Sequence, residues 1–176
     1  MAVGEIRPGY ELWRPNRERS ESVTTKFIVV FLLVVSAALI ALIALTGFPL
    51  LDGGSSMGII CFIFAIVYLA FAYFIARWSR GVLPVVGAFA VLLIIFCVVG
   101  ADSWFARDKA GFDEALLPSP LIGTLLVLLI PIQVLLLVAA TIGFSQEWHV
   151  EEERPIGSGE DYGAGAPPEN GIASPA

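Results

Sequence analysis

Four long stretches of this 176-residue chain contain no Asp, Glu, Lys, Arg or His: 27–46, 57–76, 82–100 and 121–144. That absence argues against coupled transport. Proton-driven exchangers alternate a proton and a substrate on an intramembrane acid, and small four-helix drug exporters hold a glutamate in their first helix. Neither device is present. Cysteine is scarce as well. Cys61 and Cys97 stand alone without a CxxC pair, which argues against a disulfide framework, a zinc site and vicinal-dithiol oxidase chemistry. His149 is the only histidine, so haem would need a second histidine from another chain, or a Met or other ligand from this one. We read it as an interfacial residue favoured by the negative end of a helix dipole. Lys and Arg number 10 against 16 Asp and Glu, with no basic stripe, so nucleic acid is not an expected partner. No Ser/His/Asp arrangement, phosphate loop or set of paired carboxylates stands in a suitable context. The chain reads as a non-enzyme with no cofactor and no metal.

What the chain does have is apolar surface. Hydrophobic residues make up 57% and charged residues 15%, with a mean hydropathy of +0.85. A soluble chain of this length has too much surface for that balance. A helix of roughly 20 apolar residues crosses a hydrocarbon core of roughly 30 Å. The expected fold is therefore an all-α integral membrane protein, an antiparallel bundle of four transmembrane helices within residues 27–150. The first span reads as uncleaved, because its polar lead is long and no small-residue cleavage site follows it. Its Ala37, Ala41 and Ala44 place small side chains near one face and permit close helix approach. Pro49 and Asp52-Gly53-Gly54-Ser55 mark a turn before the second span. The connection at 77–81 is so short that the second and third spans are expected to pack as a hairpin. The loop 101–120 alternates Trp104, Phe105 and Phe112 with Arg107, Asp108, Lys109, Asp113 and Glu114, the pattern of a short outer interfacial segment.

The ends are polar. Residues 1–26 read as a cytoplasmic N-terminal tail, in which Tyr10 and Trp13 would touch the interface or dock on a partner subunit. The fourth helix is expected to run on through Gln146, Glu147, Trp148 and His149 into water. Residues 151–176, rich in Glu, Gly, Pro and Ala, read as a disordered acidic C-terminal tail. Arg7, Arg14, Arg17, Arg19, Lys26, Arg77, Arg80 and Arg154 fall on one side of the spans, and only Arg107 and Lys109 on the other. Basic residues resist translocation, so both termini are expected in the cytoplasm of a multi-pass cell-membrane protein. Trp78 and Trp148 would then anchor the inner interface and Trp104 the outer one.

Two constellations lie inside the spans. Tyr68 and Gln133 fall near mid-depth of the second and fourth spans, and an unpaired amide in hydrocarbon costs several kcal/mol. The two are expected to satisfy each other as structural glue, with Pro131 freeing the carbonyl of Val127 as another acceptor. The alternatives are a backbone partner for Tyr68, a second copy of Gln133, or a ligand or quinone pocket. Cys61 and Cys97 lie at matching depth near the outer ends of their spans, as a packing pair or a disulfide.

The plan of four helices with cytoplasmic termini is similar in layout to bacterial cytochrome c oxidase subunit IV, with no shared motif. The likeness implies a respiratory accessory role. The expected function is that of a non-catalytic accessory or structural subunit, with the lipid bilayer and other membrane subunits or a second copy of itself as partners. The alternative is a homo-oligomeric channel or small carrier for an uncharged or lipidic solute.

Overall fold

A computed structural model of the chain describes residues 9–47, 56–105 and 116–156. Its elements are β1 (Tyr10–Trp13), α1 (Pro15–Glu18), α2 (Ser20–Gly47), α3 (Ser56–Ala76), a 3-10 turn (Arg80–Val82), α4 (Leu83–Phe105), α5 (Ser119–Ser145) and β2 (Glu152–Pro155). Helices α2 to α5 are long and apolar enough to cross a membrane. The chain divides into two compact units, Met1–Pro15 with Val150–Ala176, and Asn16–His149.

In the larger unit, proline opens two of the helices. Pro84 sits in the first turn of α4 and Pro120 in the first turn of α5, where the missing N–H would have no intrahelical partner anyway. The helices are apolar all round, so composition does not say which face turns inward. Spacing does. The buried positions of α2 include Val29, Leu33, Ser36, Ile40, Ile43 and Gly47, alternating steps of four and three. On α5, Leu129, Gln133, Leu136, Ala140 and Gly143 repeat the same rhythm. Such a 3.5-residue repeat keeps one seam facing its neighbours at a shallow crossing angle.

The seams are not equal. The backbones of α4 and α5 run close together, as do those of α2 with α3, and α2 also lies against α5. Glycine accounts for part of the α4–α5 approach. A Cβ on Gly87 would stand 3.3 Å from Leu137 Cδ1, and one on Gly100 3.6 Å from Leu126 Cδ1. Between α3 and α4 the backbones approach far less. Phenylalanines fill that seam, with ring centroids 5.7 Å apart for Phe64–Phe89, 5.8 Å for Phe64–Phe96 and 5.2 Å for Phe71–Phe89. The short connection thus holds α3 beside α4, in side-chain contact as the hairpin expectation has it, with ring bulk keeping their backbones apart.

α4 continues to Phe105, past the expected end at residue 100. The rest of the expected outer segment, 106–115, lies outside the described residues, and so does the side chain of Trp104. Leu116 N–H donates to the Thr46 carbonyl at 2.8 Å, tying the approach to α5 to the end of α2.

The smaller unit corrects the reading of the tails. β1 pairs antiparallel with β2 in the register Tyr10↔Pro155, Glu11↔Arg154, Leu12↔Glu153 and Trp13↔Glu152. Ile156 N–H donates to the Gly9 carbonyl at 2.9 Å. Arg154 Nε donates to Glu11 Oε1 at 2.6 Å and its guanidinium lies 5.3 Å from the Trp13 ring centroid. Arg14 Nε donates to Glu151 Oε1 at 2.8 Å. Cross-strand pairs of this kind contribute about 0.2–1 kcal/mol each. Composition alone reads 151–155 as disordered because these partners are some 140 positions away in sequence. The remainder of that tail, 157–176, lies outside the described residues.

Candidate functional site

Three buried polar side chains of the larger unit, one on each of three helices, form a chain of hydrogen bonds. Tyr68 on α3 donates its hydroxyl to Gln133 Oε1 on α5 at 2.9 Å. Gln133 Nε2 donates to Ser36 Oγ on α2 at 2.8 Å. Ser36 in turn donates to the Leu32 carbonyl, one turn back on its own helix, at 2.7 Å. All three side chains are fully buried. The chain links three helices and ends on backbone. Buried amides and hydroxyls left unpaired would cost about 1–3 kcal/mol each, so one glutamine at mid-depth dictates who its neighbours must be.

Ser36 is the member of this chain that the sequence alone does not single out. The signal for it was present, since it is a hydroxyl at mid-depth of the first span, on the face that also carries Ala37 and Ala44. Pro131 lies inside α5, which stays helical from Ser119 to Ser145. The described partners of Gln133 are Tyr68 and Ser36, and the Val127 carbonyl is not among them.

Cys61 is half-buried, Cys97 is buried, and both are free thiols that pack with the apolar core. The structure thus has the packing arrangement and no disulfide between them.

A second cluster closes the end where α2 and α4 begin and α3 and α5 stop. α3 terminates in a cap with two reaching bonds: Ser79 N–H to the Phe74 carbonyl at 3.1 Å and Trp78 N–H to the Ile75 carbonyl at 2.9 Å. Helices usually place glycine at the left-handed position of this cap. Here it is Trp78, with φ 64°. A side chain in that conformation costs roughly 1–2 kcal/mol. The indole gains contacts in return. It meets Trp148 edge-on with centroids 5.2 Å apart, and Lys26 Nζ stands 4.0 Å from its centroid.

α5 does not run on through His149. It stops at Ser145, Glu147 adopts φ 50°, and Trp148 turns back to become fully buried. The inner anchor expected of Trp148 is therefore a core residue. Three features hold it there. Gly143 leaves room, since a Cβ would lie 3.2 Å from Trp148 Cζ2. Gln146 accepts from the indole N–H at 3.0 Å while donating to Thr25 Oγ1 at 2.9 Å. Side chains from elsewhere take up the carbonyls that a helix end leaves open. Asn16 donates to the Glu147 carbonyl at 3.1 Å, Arg17 to the Trp148 carbonyl at 3.0 Å, and Arg80 to the Phe144 carbonyl at 2.9 Å.

His149 is exposed and its Nδ1 lies 2.9 Å from Arg80 Nη1. A guanidinium can only donate, so Nδ1 is the acceptor in this contact. Among the described residues, no three or more His, Cys, Asp or Glu side chains gather where they could hold a metal ion.

No protein-family model, curated protein or solved structure matches this chain.

Proposed function

We propose that this protein is a non-catalytic, multi-pass membrane subunit whose four spans form an antiparallel bundle and pack against a larger membrane protein. The observation that carries the reading is the closed polar chain. Tyr68, Gln133 and Ser36 use one another and a backbone carbonyl as partners, and none carries charge near neutral pH. Such a chain fixes helix positions, but it has no acid or base with which to move a proton along it. Surface features agree with this reading. The outer faces of α3 and α4 expose Ile63, Ile66, Leu69, Ile95, Val98 and Val99, apolar surface suited to lipid or to another subunit's helices.

Both termini are proposed to be cytoplasmic. An even number of crossings brings the chain back to the side on which it began, as pairing of β1 with β2 requires. Lys26, Arg77 and Arg80 gather at that end of the spans. Cysteines introduced at Ser55 and Ala110 are expected to label from outside intact cells, and one at Ser158 only after permeabilisation. Labelling of Ser158 in intact cells overturns the orientation.

Purification of a tagged copy in mild detergent tests the function itself. The expected result is a stoichiometric membrane partner that withstands a second purification step. A chain that runs alone, and that carries an uncharged solute into proteoliposomes above empty controls, would replace this reading with that of a channel or carrier.

A further inference from the structure

We propose that Lys26, Arg77 and Arg80 form a binding site for the phosphate of an anionic phospholipid headgroup. The site rests on the reading of α2 to α5 as membrane spans. Lys26 immediately precedes the uncharged stretch 27–46, Arg77 immediately follows 57–76, and Arg80 stands two residues before 82–100. All three therefore lie at the depth where hydrocarbon gives way to headgroups. All three stand at the same end of the larger unit, near Trp78. Lys26 stands over the Trp78 ring, and Arg77 and Arg80 flank Trp78 on the connection between α3 and α4.

Charge balance is what points to a ligand. Among the described residues, Lys26, Arg77 and Arg80 pair with no carboxylate; the ion pairs Arg14–Glu151 and Arg154–Glu11 belong to the smaller unit. Glu18, Glu21 and Glu147 are the acids of the larger unit nearest in sequence to this end, and none of them pairs with the three cations. Donors also remain. Arg80 engages the Phe144 carbonyl through Nε and His149 through Nη1, which leaves Nη2. Arg77 engages the Tyr73 hydroxyl through Nη1, which leaves Nε and Nη2. Among the described residues, the contact of Lys26 is with the Trp78 ring. A phosphodiester offers two anionic oxygens, which suit a guanidinium edge together with an ammonium point charge. Both arginines are already held by contacts within the protein, so little ordering is left for binding to impose. Depth selects a lipid headgroup over free phosphate as the source of that group.

The test uses the full chain in vesicles of phosphatidylcholine alone and of phosphatidylcholine with phosphatidylglycerol. Lipid retained by the protein is read by native mass spectrometry after gentle extraction. Phosphatidylglycerol is expected to be enriched over its share of the bilayer. Lys26→Gln and Arg77→Gln are expected to reduce that enrichment by roughly fivefold per residue. The pair K26R/R77K keeps both charges and is expected to retain it, which separates lost charge from lost fold. Enrichment that survives K26Q/R77Q, or that is absent from the native chain inserted in the bilayer, overturns the site alone. Displacement of the lipid by inorganic phosphate would assign the site to free phosphate and overturn the lipid. A chain extracted by carbonate from both bilayers overturns the membrane reading, and the site with it.

Discussion

Trp148→Ala is expected to cost about 3–5 kcal/mol of unfolding free energy, the range for truncating a fully buried aromatic side chain. The indole is fully buried, meets Trp78 edge-on and lies against Gly143. Its removal leaves a cavity beneath the segment 146–149 and takes away the N–H bonded to Gln146. Gln146 also donates to Thr25 near the start of α2, so the loss is expected to loosen the junction between the two ends of the larger unit. Denaturant titration in detergent micelles measures the cost. Trp148→Phe keeps most of the ring, loses the N–H, and is expected to cost about 1 kcal/mol, the usual worth of one hydrogen bond. A Trp148→Ala variant as stable as the native chain would mean that this residue stands at the surface as an interfacial anchor.

Gln133→Leu is expected to cost about 2 kcal/mol, and Tyr68→Phe about 1 kcal/mol. Hydrogen bonds between membrane helices average about 0.6 kcal/mol and reach about 1.7. Tyr68→Phe removes one such bond and keeps the ring. Gln133→Leu removes two and leaves the Tyr68 hydroxyl buried without its acceptor, while Ser36 keeps its own bond to Leu32. From Tyr68 and Gln133 alone, equal costs are expected; the contact with Ser36 is what makes them unequal. In a double-mutant cycle, Y68F/Q133L is expected to cost no more than Q133L alone, because both remove the same bond. Additive losses would show that the two side chains do not share one.

The number and length of the apolar helices are legible in the sequence because each depends on local composition. A run of about 20 uncharged, apolar residues satisfies its own backbone by forming a helix, whatever it later packs against. Depth along a span is legible too, which is why Tyr68 and Gln133 could be matched before any packing was known. Facing is different. Helices apolar on every side carry no hydrophobic stripe, so only packing selects the seam that takes in Ser36, Ala37, Ala44 and Gly143. Distant partners are hidden for the same reason. Trp148 follows an apolar helix and precedes an acidic tail, and by local pattern it belongs at an interface. It is buried because Gly143 makes room beneath it and because Asn16 and Arg17, far away in sequence, bond the carbonyls of Glu147 and Trp148. Local composition determines which segments are helices and how long they are. Tertiary structure decides which side chains meet, because a hydrogen bond or a close contact needs both partners in place.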